Sequence, residues 1–210
     1  NVKNISKIYP GFELKDISFN LPKGYIMGFI GPNGAGKTTT IKLILNMIQR
    51  AGGTIEVFGL DNIAYDAEIK EHTGVVFDNH YFLDEWTLND INRVMALFFS
   101  NWQSSIYREK LEQYQLNPAK KVKELSKGMR LKLMLAVAFS HDAKLLILDE
   151  PTSGLDPVAR DELLETLAKF IQDGERSVLF STHITSDLEK IADYITFINN
   201  GRLIFTGIKD

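Results

Sequence analysis

The sequence predicts an α/β domain: a mixed, mostly parallel sheet with helices, an antiparallel β part near its start, and an inserted helical part. Three observations predict it. Short apolar runs alternate with stretches of helical periodicity, the pattern of a parallel sheet. A glycine-rich turn at residues 31–36 stands between one such run and a helix-like stretch. Residues 83–138 carry helical periodicity and no strand pattern, while the sequence on either side reads as α/β. On that division one domain spans 1–210: residues 1–82 and 139–210 form its core, and 83–138 are a helical lobe inserted into it.

Taken in order, residues 2–21 read as two β segments joined at Tyr9-Pro10-Gly11. In the second, Phe12 and Leu14, then Ile17, Phe19 and Leu21, alternate with polar residues as in a half-buried strand. Pro22-Lys23-Gly24 turns into Tyr25–Ile30, a nearly continuous apolar run expected to be a buried strand. After the glycine turn, Ile41, Leu43, Ile44, Leu45, Met47 and Ile48 recur at helical spacing, with Ala51-Gly52-Gly53 as the expected stop. Thr54–Phe58 and Gly74–Phe77 read as short strands. In the lobe, Thr87 and Asp90 form a capping-box pattern that opens an amphipathic helix with Ile91, Val94, Met95 and Phe98 on one face. A second helix is expected over Ser104–Tyr114. A third follows Ser126, with Leu131, Met134, Leu135 and Ala138 inward. The core resumes with the strand Leu145–Leu148. A helix opens at Asp156-Pro157, proline being suited to the first helical position. Val158, Leu164, Leu167 and Ile171 are expected inward, and Asp173-Gly174 closes the helix. Ser177–Ser181 is another strand. Tyr194–Ile198 and Arg202–Thr206 flank Asn199-Asn200-Gly201, an Asn-Gly hairpin signal.

Composition bounds the function. With 210 residues, 44% of them hydrophobic and 24% charged, the chain can bury the core of an ordinary globular domain. A net charge of −3 gives no general attraction to nucleic acid or anionic lipid, so no nucleic-acid partner is expected. The absence of cysteine excludes a disulfide framework, a thiolate metal site and a cysteine nucleophile. The first residues carry no signal-peptide pattern. No apolar run approaches the roughly 18 residues of a membrane span, so work at a membrane would need a second chain to supply the spans.

The chemistry centres on Gly31-Pro32-Asn33-Gly34-Ala35-Gly36-Lys37-Thr38-Thr39, which fits G-x-x-x-x-G-K-[ST] at every fixed position. Glycines let the backbone curl so that the N–H groups of Asn33 to Thr39 converge on phosphate oxygens. The following helix adds its free N–H groups and positive end. Lys37 would reach the β- and γ-phosphates, and the Thr38 hydroxyl would meet a Mg²⁺ ion. A structural glycine turn with a surface lysine is the plain alternative, but strand, loop and helix agree with the motif. The fold expected is therefore a P-loop NTPase core binding a nucleoside triphosphate. The strand Leu145–Leu148 ends in two adjacent carboxylates. Asp149 would hold Mg²⁺ through water, and Glu150 would orient or deprotonate the attacking water. Alone, such a pair is more often a surface strand end; beside a phosphate loop it reads as a site.

At this point the chain resembles the ATP-binding cassette (ABC) proteins over essentially its whole length. Leu125-Ser126-Lys127-Gly128-Met129 stands where that family carries Leu-Ser-Gly-Gly-Gln. Ser153-Gly154-Leu155-Asp156 matches the loop after the second carboxylate, and Ser181-Thr182-His183 ends in the switch histidine. Tyr9 matches the aromatic that stacks on adenine. The resemblance implies two such subunits clamping two ATP molecules head to tail, as a homodimer or a heterodimer. Ser126 and Gly128 of each would then bind the γ-phosphate held by the other, and His183 would support Glu150. It further implies an ATPase at the cytoplasmic face of the cell membrane, driving a permease subunit on a separate chain. The pattern looks like small export-type systems. The aromatics Phe77, Tyr81, Phe82, Trp86, Phe98, Phe99 and Trp102 lie where the family forms a groove for a cytoplasmic helix of the membrane subunit.

Two departures stand out. Asp78 occupies the place of a glutamine that touches Mg²⁺ and the attacking water; a carboxylate there could reach the metal through water, or be a solvated loop residue. Lys127 and Met129 replace glycine and glutamine in the signature, while Ser126 and Gly128 are intact. Nearby Lys120, Lys121, Lys123, Lys127, Arg130 and Lys132 form a basic cluster. It is either a solvated face or counter-charge for a triphosphate. The rival reading is a soluble ABC ATPase of DNA repair or translation. Against it, the stretch from Lys37 to Leu125 shows no heptad run, and the chain carries one cassette.

Overall fold

The computed structural model describes residues 1–77 and 81–209. One ten-stranded sheet runs through them in the order β5-β4-β1-β2-β10-β9-β3-β8-β7-β6. Its strands are β1 (Val2–Tyr9), β2 (Phe12–Phe19), β3 (Ile26–Ile30), β4 (Gly52–Val57), β5 (Leu60–Asp61), β6 (Thr73–Val76), β7 (Leu145–Asp149), β8 (Ser177–Thr182), β9 (Tyr194–Asn199) and β10 (Arg202–Ile208). β9, β3, β8, β7 and β6 are mutually parallel, whereas β1, β2, β4 and β5 pair antiparallel. The mixed, mostly parallel core and its antiparallel part are thus one continuous sheet.

The central strands are buried on both faces, which is why they read as apolar runs rather than alternations. Ile26, Leu146, Leu148, Val178 and Phe180 enter a core shared with the helical lobe. Met27, Phe29, Ile147 and Leu179 enter a second core, shared with β1, β2, β4 and the helix α1 (Lys37–Ile44). The broken alternation of β2 has a local cause. Asp16 takes φ 52°, and the register against β1 shifts so that Leu14, Ile17 and Phe19 are all buried.

The lobe holds α3 (Leu88–Phe98), α4 (Ser104–Gln113), a 3₁₀ turn at Val122–Glu124 and α5 (Lys127–Ser140). The capping box forms as expected: the Thr87 hydroxyl accepts from the Asp90 N–H at 3.1 Å, and the Asp90 carboxylate accepts from the Thr87 N–H at 2.9 Å. Leu131, Met134, Leu135 and Ala138 of α5 are buried. The remaining helices are α2 (Asp66–Glu71), α6 (Pro157–Phe170) and α7 (Thr185–Ile191). The hairpin between β9 and β10 puts Asn200 and Gly201 at φ 45° and 69°, the double left-handed turn its sequence signals.

Several expectations need correction. α1 ends at Ile44, well before Ala51, and Gly52 already belongs to β4. The Asn62 side chain donates to the carbonyls of Leu43 and Ile44 at 2.8 and 2.9 Å, satisfying the groups a longer helix would have used. Met47 therefore lies outside the helix and is exposed. Phe98 and Val158, assigned to inward faces, are also exposed. Val158 follows Pro157 in the first turn of α6, where that helix has not yet reached the core.

Candidate active site

Strands β3, β7 and β8 end side by side, with Ile30 paired to Thr182 and Asp149 paired to Ser181. The phosphate loop, the two carboxylates and His183 therefore converge at the carboxyl ends of adjacent parallel strands, where open α/β sheets bind ligands.

The loop is fixed by close packing beneath it. Gly36 takes φ +111°, and a Cβ there would meet Leu14 Cδ1 at 2.8 Å; one on Gly31 would meet the Ile198 carbonyl at 2.3 Å. No other residue fits either position. The Gly201 N–H of the hairpin supports the loop from outside, donating to the Ala35 carbonyl at 3.0 Å. Asn33 and Gly34 form the exposed tip, Ala35 and Gly36 are buried, and Thr39 is half-buried on α1. Lys37 is 5% exposed and folds back over the loop, donating to the Gly31 carbonyl at 2.7 Å. Its Nζ also lies 2.9 Å from Glu150 Oε1, an ion pair rather than an aligned hydrogen bond.

Adjacent residues of a strand point to opposite faces, so Asp149 and Glu150 should not face one site. They do because Glu150 takes φ 51°, a left-handed conformation costing about 1 kcal/mol or more for such a residue. Ser181 over-determines that turn: the Glu150 N–H donates to its hydroxyl at 3.0 Å and to its carbonyl at 3.1 Å. The same hydroxyl donates to Asp149 Oδ1 at 2.7 Å, leaving Oδ2 to accept from the Thr38 hydroxyl at 2.7 Å. His183 Nδ1 lies 2.7 Å from Glu150 Oε2. Glu150 is thus held between the Lys37 ammonium and the His183 ring. Ser181, which aligns both carboxylates, was not singled out from the sequence; its only signal was its place in Ser181-Thr182-His183.

The structure brings together Lys37, Thr38, Asp149, Glu150 and His183, and leaves other expected residues apart. Tyr9 is 38% exposed at the end of β1, paired across the turn with Phe12, whose ring would lie 3.1 Å from a Cβ on Gly36. Lys7 Nζ covers one face of the Tyr9 ring at 5.2 Å. Ser126 caps α5, its hydroxyl accepting from the Met129 N–H at 3.3 Å, and Gly128 follows in the first turn. Among the described residues, neither Ser126 nor Gly128 hydrogen-bonds to the phosphate loop of its own chain. Asp78 lies outside the described residues. In the basic cluster, Lys121 and Lys123 both pair with Glu85, and Lys132 pairs with Glu162, so at least half of that charge is answered within the chain.

A curled glycine loop before a helix, a lysine within it, and a hydroxyl–carboxylate pair beside a second carboxylate define a phosphate-loop nucleoside triphosphatase. The ABC transporter family matches residues 14–153, two thirds of the chain. The chain is 32% identical to the lantibiotic transport ATP-binding protein SrtF of Streptococcus pyogenes, over 97% of this chain and 88% of that one. It is 33% identical to the Nod factor export ATP-binding protein I of Ralstonia nicotianae, over 99% of this chain and 66% of that one. A solved ATP-binding subunit of an ABC transporter superposes with a TM-score of 0.89 at 29% identity, covering 100% of this chain and 89% of that one. The chain belongs to the ATP-binding subunits of ABC transporters, ATPases that power transport. The soluble repair or translation ATPase is set aside.

Proposed function

We propose that this subunit hydrolyses ATP with Glu150 as the residue that orients or deprotonates the attacking water, in a site completed by a second nucleotide-binding subunit. The observation that carries the reading is the position of the Glu150 carboxylate, 2.9 Å from the ammonium that would hold the γ-phosphate and 2.7 Å from His183. In this reading the N–H groups of Asn33 to Thr39 and the Lys37 ammonium bind the triphosphate. The Tyr9 ring stacks on adenine. His183 holds Glu150 and contacts the γ-phosphate.

The Thr38 hydroxyl and the Asp149 carboxylate suit Mg²⁺. They are hard oxygen donors 2.7 Å apart, and Ser181 fixes the second Asp149 oxygen. When bound, the ion would neutralise charge on the phosphates. Asp78 is assigned to the same metal by resemblance.

Ser126 and Gly128 are assigned to the partner's γ-phosphate. They open a helix of fourteen residues, whose first N–H groups form an anion site, and they stand apart from this chain's own loop. The helical segment 83–138 is read as a signature subdomain, with 1–82 and 139–210 as the ATP-binding core. The permease contact is assigned to the outer side of that lobe. Tyr81, Leu83, Leu97 and Phe98 are exposed there, while Phe82 is buried and Trp86, Phe99 and Trp102 are half-buried. Among the described residues no helix is long and apolar enough to cross a membrane; the placement as a peripheral subunit at the cytoplasmic face rests on the family. Similarity to a Nod factor export protein favours export over import.

The test is Glu150→Gln. Hydrolysis should fall by about 100-fold or more while ATP binding is kept, and the variant should elute as a dimer with ATP and Mg²⁺. A lone subunit that hydrolyses ATP at full rate with Ser126 replaced by alanine would end the composite-site reading.

A further inference from the structure

Asp187 is a buried carboxylate that the site described so far does not use. Its side chain is 2% exposed, and the nearest cation is Arg160 of α6, with Nη1 3.7 Å from Oδ1. Asp187 Oδ2 and Arg160 Nε are both buried without a hydrogen-bond partner. A buried acid with so loose a partner is a poor device for stability alone, because desolvation opposes burial of charge that is not fully bonded. Its location suggests another use.

His183 lies on the short link between β8 and α7, exposed apart from its contact with Glu150. Where its ring falls depends on where α7 begins, and Asp187 is one turn further along. Arg160 sits in the first turn of α6, its N–H donating to the Asp156 carbonyl at 3.0 Å. The chain runs from Glu150 to that turn in one short loop. The two helices that follow Glu150 and His183 are therefore joined by Arg160 and Asp187 on one side, and the two residues themselves meet at 2.7 Å on the other. α7 is also anchored by Leu188, packed so closely over β3 that a Cβ on Gly28 would overlap it at 2.6 Å, and by Lys209, whose Nζ donates to the Glu189 carbonyl at 3.1 Å. The Leu188 contact sets the height of α7 above the sheet, and the buried link to α6 ties it to the helix that follows Glu150.

We propose that Asp187 and Arg160 are positioning residues for hydrolysis: the buried pair sets α7 against α6 and so holds the His183 ring on Glu150. This rests on the assignment of Glu150 and His183 above, and the test separates the two. Lys190 and Asp161 join the same helices at 2.7 Å on the exposed surface, and provide the control.

Steady-state hydrolysis and ATP affinity are measured on the full chain for Asp187→Asn, Asp161→Asn, His183→Ala and the double variant His183→Ala/Asp187→Asn. Asp187→Asn should lower kcat about 10-fold, equivalent to roughly 1.4 kcal/mol, with ATP affinity within about twofold. Asp161→Asn should leave both unchanged. The double variant should be no slower than His183→Ala alone, since the brace acts through that ring. Arg160→Lys, which keeps the charge on a half-buried residue, serves in the same scheme if Asp187→Asn does not fold. A normal loss in His183→Ala with no loss in the Asp187 and Arg160 variants overturns the brace alone, as does a loss that multiplies on His183→Ala. An unchanged rate in His183→Ala overturns the His183 assignment and the brace with it.

Discussion

Two regions of this molecule treat side chains in opposite ways. At the carboxyl ends of β3, β7 and β8, charged and polar groups are folded inward: Lys37 is 5% exposed, Asp149 is 6% exposed, and the Ser181 hydroxyl is completely covered. On the outer side of the helical lobe, apolar groups are turned outward, with Leu97 at 85% and Phe98 at 72% exposure. Both arrangements cost stability. The first leaves charge in a low-dielectric setting, which strengthens every interaction with a triphosphate. The second leaves apolar surface in water, where only another molecule can cover it. On the proposed reading the contrast divides the labour: the groups for the chemistry are gathered at the strand ends, while the lobe offers a surface to a partner.

Replacing Lys37 by alanine should break the first region most completely. It removes the cation that Glu150 faces, and ATP affinity should fall by about 100-fold, roughly 2.7 kcal/mol; equilibrium binding of ATP checks it, and unchanged affinity would discredit the phosphate-loop assignment. Leu97→Ser with Phe98→Ser should sharpen the contrast from the other region. Basal hydrolysis should stay within about twofold, because neither residue touches the site, while a membrane subunit recovered from detergent extracts with the native chain should no longer be recovered. Equal recovery would remove the lobe surface from the coupling role.

The smallest effect belongs to a contact that joins the helical lobe to the end of α2 in the core. His141 is buried against Phe99, with ring centroids 4.0 Å apart, and its Nδ1 lies 3.0 Å from the Glu71 carbonyl. Burial pushes the His141 ring below its usual pKa despite that contact. The unfolded chain takes up a proton below about pH 6.5 while the folded chain resists it. Stability from this group is therefore complete above about pH 6.5 and is lost as pH falls toward the folded value. Burial would raise the Glu71 carboxyl, but hydrogen bonds from the Ser100 hydroxyl and the Asn101 and Ser100 N–H groups outweigh it and hold it low. Glu71 therefore adds a second loss further into acid, as pH drops below the ordinary carboxylate range. Denaturant midpoints between pH 7 and 5 should fall in the native chain and fall less in His141→Phe. Parallel curves would assign the pH dependence elsewhere.

The amino-acid sequence by itself determined most of the strands and helices in their order, though not β5, α2 or α7, together with the glycine turn with its lysine and hydroxyl, and the inserted lobe. Each is a local matter of spacing: apolar runs, capping residues and fixed glycines act over a few residues and can be read there. It also placed Asp149, Glu150 and His183 at strand ends. What only the tertiary structure decided is how those ends meet. The left-handed turn at Glu150 that aims two neighbouring carboxylates at one site depends on Ser181, on a strand 31 residues distant. The early stop of α1 depends on Asn62, and the outward turn of Phe98 and Val158 on where each helix leaves the core. The buried Asp187 has no local signature. Such contacts join segments far apart in the chain, and only the order of strands in the folded sheet brings them together.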